Sequence, residues 1–115
     1  MARKVRVVLK IEYAPGLRLG AWKARLMELV GSTGSISAAA REMGMSYRRA
    51  WLLIEECNAL YDAALVETSA GGAGGGGARL TALGTDVIAA YRSIEASTAK
   101  LVARKLDGLA LRGGK

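Results

Sequence analysis

Between Val5 and Glu12 the apolar residues Val5, Val7, Leu9 and Ile11 alternate with Arg6, Val8, Lys10 and Glu12. A period of two gives an extended strand one apolar and one mostly charged face, and Pro15 and Gly16 end it. One strand is not stable by itself, so it is expected to add to the sheet of a later hairpin or to pair with its copy in a second subunit. The period then changes. Leu19, Trp22, Leu26, Leu29 and Val30 recur every three or four residues around Lys23, Arg25 and Glu28, the stripe of an amphipathic helix with Gly31 as its C-cap. Trp22 reads as a core or interface anchor, the usual place of a large aromatic side chain.

Two short helices and a tight turn follow, over residues 35–60. Ser35 or Ser37 can cap the first, whose run Ala38, Ala39 and Ala40 has a low profile that lets another helix cross closely. Gly44 supplies the left-handed residue of the turn, Met45 its buried plug, and Ser46 the cap of the next helix. In that helix Ala50, Ile54, Cys57 and Tyr61 form the inward stripe, with Trp51 and Leu53 at its margins. Tyr47, Arg48, Arg49, Leu52, Glu55 and Glu56 are left facing outward. Both arginines fall in the first turn and both glutamates two turns later, the polarity of a recognition helix that enters a DNA major groove by its N-terminus.

The apolar-to-polar segments Leu65–Glu67 and Arg79–Thr81 bracket a glycine-rich stretch as a hairpin over residues 65–81. Thr81 caps a helix over residues 82–107, ~40 Å long at 1.5 Å per residue. Val87, Tyr91, Ile94, Thr98 and Leu101 recur along it at intervals of four and three, the seam of a two-helix pairing. Such a helix is longer than one small domain can cover, so a homodimer is expected. The fold class is mainly α with a small antiparallel sheet: a single winged helix-turn-helix domain over residues 1–115, with an N-terminal strand and a long C-terminal dimerisation helix.

Charge narrows the function. The 115 residues hold 17 Lys and Arg against 10 Asp and Glu, a net charge of +7 that favours polyanionic partners. The single cysteine and the absence of histidine remove the usual material of a metal site or a general base, and no cofactor is expected. Glu55 and Glu56 are adjacent and diverge on a helix, so they do not form an acid and base pair. Cys57 lies on the inward stripe, a packing position, and nothing resembles an active site. The chain has no apolar run suited to a signal peptide or a membrane span and reads as cytoplasmic, with no membrane partner and no evident small-molecule site.

Six of the seven residues from Gly71 to Gly77 are glycine, which leaves backbone amides open to an anion. The run fits the wing of a winged helix, laid along the phosphates through Gly74, Gly75 and Gly76 with Arg79 on the returning strand. It also fits a tip that touches nothing. A nucleotide phosphate loop fits poorly, because no Lys-Ser or Lys-Thr follows and the flanks read as strands. The candidate DNA contacts are therefore Ser35, Ser37, Ser46, Tyr47, Arg48 and Arg49 together with these wing residues. Arginine can grip guanine or phosphate bidentately, and Tyr47 can meet a thymine methyl group or a phosphate.

The runs GSISAAAREMGMSYRRAW and LVETSAGGAGGGGARLTALG resemble the N-terminal DNA-binding domain of ModE, the molybdate-responsive bacterial repressor, itself similar to the winged helix of LysR-type regulators. The resemblance covers roughly residues 17–105. It implies that Ser46, Tyr47, Arg48 and Arg49 open the recognition helix, that Gly71 to Gly77 form the wing tip, and that dimerisation uses the first and last helices, with Trp22, Leu26, Val87, Tyr91, Ile94 and Leu101 as the interface. The family wing often carries basic residues where this chain has Thr68 and Ala73, and the family's molybdate-binding domains have no counterpart here. The expected function is a homodimeric, sequence-specific regulator of transcription, bacterial or archaeal, acting on double-stranded DNA. The contrasting expectation is a dimeric helical adaptor whose basic surface binds an acidic protein.

Overall fold

A computed structural model describes residues 5–72 and 75–109. The elements run β1 (Lys10–Ala14), β2 (Leu17–Gly20), α1 (Ala21–Thr33), α2 (Ile36–Glu42), α3 (Tyr47–Asn58), β3 (Val66–Gly72), β4 (Gly75–Leu80) and α4 (Ala82–Leu106). Each strand pair forms its own two-stranded antiparallel sheet.

The N-terminus departs from expectation. Pro15 and Gly16 end the strand as read but also reverse the chain into a second strand, with Gly16 at a positive φ of 83°. β1 then pairs with β2 in the register Ile11↔Leu19 and Glu12↔Arg18. The strand was expected over Val5–Ile11 and in the wing sheet; it lies later and in a separate hairpin. Leu19, read as the first residue of a helix, is a buried strand residue. The helix therefore starts at Ala21, and its buried stripe becomes Ala24, Leu26, Met27 and Val30. That shift leaves Trp22 off the buried face and 63% exposed, so it is no core anchor. The helix also runs past Gly31 and is closed by Gly34, whose φ is 73° and whose N–H donates to the Val30 carbonyl.

One core joins all the helices. Leu26, Met27 and Val30 of α1 meet Ile36, Ala39 and Ala40 of α2, Ala50, Ile54 and Cys57 of α3, and Val87, Ile88 and Tyr91 of α4. The alanines let α2 pack closely, as their small volume implies. Leu26, Val87 and Tyr91, expected at a dimer interface, are thus taken up inside one chain, and the Tyr91 hydroxyl donates to the Leu9 carbonyl at 2.6 Å. Beyond that point Arg92 clamps α4 to α1, meeting Glu28 through Nε and Nη2 at 2.9 and 2.8 Å and Glu95 through Nη1 at 2.8 Å. The Arg92 hydrogen bond holds the Glu28 carboxyl below its ordinary pKa.

The rest of α4 leaves the core. Thr81 caps it as expected, accepting from the Gly84 N–H at 2.9 Å. Val87 and Tyr91 are covered, whereas Ile94 and Leu101 are 45% and 44% exposed. No helix among the described residues is long and apolar enough to cross a membrane.

Candidate nucleic-acid interface

The helix-turn-helix is built by local signals that act as read. Ser35, rather than Ser37, caps α2 by accepting from the Ala38 N–H at 3.1 Å. Gly44 takes a φ of 67°, and Ser46 caps α3 by accepting from the Arg49 N–H at 3.1 Å. Met45 is half-buried against the core rather than fully enclosed. α3 ends at Asn58, so Tyr61 is not part of its inward stripe; its hydroxyl lies 2.5 Å from that of Tyr13 in the first hairpin.

Three faces of α3 now have distinct roles. Ala50, Ile54 and Cys57 face the core, where burial pushes the Cys57 thiol up to about 12. A thiol so placed carries little thiolate near neutral pH and serves as packing. Arg48, Leu52 and Glu55 form an exposed ridge, with Tyr47 and Trp51 on one side of it and Arg49 and Glu56 on the other. Among the described residues no carboxylate comes within ion-pair distance of Arg48 or Arg49, so both guanidinium groups keep their full charge toward solvent.

The wing rises beside the Tyr47 side. Its register pairs Val66↔Leu80, Glu67↔Arg79, Thr68↔Ala78 and Ser69↔Gly77, then breaks before Gly72↔Gly75. The glycines thus extend the strands beyond the short segments expected, because chains without side chains can still pair through their backbones. Gly75 and Gly76 belong to β4; Gly74 and Ala73 lie outside the described residues. Thr68 and Ser69 share a shallow hollow with Ser35, Ser37, Tyr47 and Trp51. That hollow draws together three of the expected contacts and adds Trp51, Thr68 and Ser69. Trp51 could have been placed from its spacing, one helical turn after Tyr47 on the same side.

Two devices hold the wing in place. Asn58, the last residue of α3, accepts from the Leu65 and Val66 N–H groups at 2.8 and 3.0 Å and donates to the Val66 carbonyl at 3.1 Å. On the other strand the Ala78 N–H donates to the Gly34 carbonyl at 2.9 Å. The wing is therefore tied at one strand to the end of the recognition helix and at the other to the loop between α1 and α2. Arg79, expected to reach phosphate, instead meets Glu67 across the hairpin at 2.6 Å. Both partners are exposed, so the pair is weak, but with one charge of each sign the wing base offers no net positive charge.

An exposed pair of unpaired arginines opening a capped helix, with a hydroxyl-lined wing fixed beside it, is the architecture of a DNA-reading winged helix. Residues 23–85, from the first turns of α1 to the first turn of α4, match the bacterial regulatory helix-turn-helix protein family of lysR type. The chain belongs to the lysR family of bacterial regulatory helix-turn-helix proteins.

The chain is also similar to two molybdenum-pterin-binding proteins and to a transcriptional regulator. It is 51% identical over 87 residues to the molybdenum-pterin-binding protein MopB of Rhodobacter capsulatus, covering 76% of this chain and 32% of that protein. It is 38% identical over 92 residues to MopA of the same organism, covering 80% and 35%. Against the DNA-binding transcriptional dual regulator ModE of Escherichia coli K12 it is 46% identical over 66 residues, 57% of this chain and 25% of ModE. The chain therefore spans about a third of the length of the first two relatives and a quarter of the third. The lysR-family match leaves out β1, β2 and most of α4, which are the parts that the helix-turn-helix itself does not require.

Proposed function

We propose that this lysR-family chain is the DNA-reading part of a homodimeric regulator of transcription. The observation that carries the proposal is the exposed first turn of α3, where Arg48 and Arg49 stand without an ion-pair partner among the described residues. In this reading the turn enters the major groove, Arg48 and Arg49 grip guanine edges or phosphates, and Tyr47 and Trp51 press against the groove wall. Ser35, Ser37, Thr68, Ser69 and the glycines Gly75 and Gly76 hold the phosphate backbone on the wing side and Ser46 at the start of α3, with Arg79 in a lesser part because Glu67 shares it.

Dimerisation is supported by the distal half of α4. Ile94 and Leu101 are one heptad apart and both exposed on one face. In this reading a second copy packs on that face, and reading successive major grooves of a two-fold symmetric site requires the two recognition helices to lie about 34 Å apart. Light scattering at micromolar concentration is expected to give the mass of two chains, and the mass of one would contradict the pairing.

The salt dependence of binding to random duplex tests the DNA reading against the adaptor. If each copy neutralises two phosphates, the slope of log K against log salt is about −3 to −4. A flat response would favour a protein partner for the basic surface instead.

A further inference from the structure

The side of the recognition helix opposite the wing holds a groove of ≈ 920 Å³, enclosed by the first hairpin, the start of α1, the turn before α3 and α3 itself. That is the size of a site for a small molecule. Its floor is apolar, made by Leu9, Met43, Met45 and Leu53, all partly buried against the core. At its mouth stand Val8 and Trp22, 71% and 63% exposed, apolar surface that nothing among the described residues covers.

The charges around this floor are unequal. Lys23 donates to the Arg18 carbonyl at 2.7 Å and lies 3.0 Å from Glu56, while Arg18 meets Glu12 at 3.2 Å. These groups are matched. Lys10, from the hairpin, and Arg49, from the recognition helix, also line the groove, and among the described residues neither has a carboxylate within ion-pair distance. An apolar floor with an uncompensated cation on each of two walls complements an amphipathic anion. A bare phosphate would gain nothing from the floor, and a neutral apolar molecule nothing from the cations.

We propose that the groove between the first hairpin and the recognition helix binds a small organic acid with an aromatic body, its acid group held by Lys10 and Arg49, and that its binding weakens binding to DNA. The opposition between the two follows from Arg49, which cannot hold the acid and a DNA contact at once. This second clause rests on the proposed function, whereas the site itself does not. Trp22 at the mouth offers a face on which an aromatic body stacks. Ligand and DNA are thus linked reciprocally through one side chain.

Anilinonaphthalene sulfonate, an aromatic acid whose fluorescence rises on leaving water, is the probe, with the uncharged N-phenylnaphthylamine as its control. The expected result is saturable binding of one sulfonate per chain, weakened about tenfold in Lys10→Gln and unchanged in Arg104→Gln on distal α4. The uncharged control is expected to bind about tenfold more weakly than the sulfonate. Equal binding by Lys10→Gln and wild type, or by the two probes, would overturn the site. In duplex titrations a saturating sulfonate is expected to weaken DNA binding about fivefold in wild type and far less in Lys10→Gln at the same probe concentration. Lys10-dependent binding that leaves duplex affinity unchanged would overturn the opposition. A wild-type protein that binds the sulfonate but no duplex would overturn the proposed function and leave the site standing.

Discussion

The recognition helix has a hairpin on either side, and the two are held by different kinds of bond. The wing is fixed through backbone groups: Leu65 and Val66 to the Asn58 amide, Ala78 to Gly34, and Leu65 in close approach to Gly84. Apart from Leu19, which is buried in the core, the polar ties of the first hairpin are side-chain tips: the Tyr13–Tyr61 hydroxyl pair, Lys23 reaching from the Arg18 carbonyl to Glu56, and the Tyr91 hydroxyl on the Leu9 carbonyl. Backbone bonds at buried positions fix geometry closely, whereas exposed tips can part at small cost. The wing is thus suited to hold a constant angle to DNA, and the hairpin to shift when something enters beneath it.

The largest expected effect is on the wing side. A Cβ at Gly84 would stand 2.2 Å from the Leu65 carbonyl oxygen, a backbone atom that cannot step aside without moving the start of the wing. Gly84→Ala is expected to cost ~3 kcal/mol or more in urea unfolding, at the upper end of overpacking costs. Gly31→Ala serves as its contrast. There the neighbour at 2.9 Å is the end of the Leu80 side chain, which can rotate, so the loss is expected to be clearly smaller. Equal losses would mean that the approach of α4 to the wing base is not tight.

Asn58→Ala comes next, at ~1 to 3 kcal/mol, because it strips the buried Leu65 N–H of its acceptor. It is also expected to weaken duplex binding while leaving α3 intact by circular dichroism. Full DNA affinity in a destabilised Asn58→Ala would show that the angle of the wing does not matter.

The first hairpin should respond least, and to alkali. Burial and then the Tyr61 hydrogen bond push the Tyr13 hydroxyl from 10.0 up to about 12. A raised folded value means that the contact is fully present below about pH 10 and lost as the pH rises toward 12. Tyr13→Phe is expected to cost ~0.5 kcal/mol near neutral pH and to remove that part of the alkaline loss, read as the difference in urea midpoint between pH 8 and pH 11 for the two proteins. A variant that declines with pH as steeply as wild type would show that this pair does not hold the hairpin.

What could be read from the residues follows the same division. The helix-turn-helix was legible because its determinants are local: Ser35 and Ser46 bond to amides three residues on, and Gly44 takes the turn by its own backbone. The first hairpin was not, because Leu17–Gly20 alternate as a strand while Leu19 also begins the three-and-four spacing that runs into α1. Which period wins is decided by pairing with Lys10–Ala14. Asn58 reads as an ordinary polar helix end until Leu65 and Val66 are brought to it. The same holds for the long helix, where one apolar spacing continues from Val87 to Leu101 and only tertiary packing divides the covered half from the exposed one. The groove was the least legible feature, since its floor and its two free cations come from separate elements.

The central claim is that the first turn of α3 reads bases. Enrichment of bound sites from a random duplex pool, run in parallel with wild type and Arg48→Ala, tests it most directly. Wild type is expected to enrich a two-fold symmetric site, and Arg48→Ala to bind it ~1 to 3 kcal/mol more weakly with the preference relaxed at one position in each half. The same site enriched with equal affinity by both proteins would contradict the assignment of base reading to Arg48.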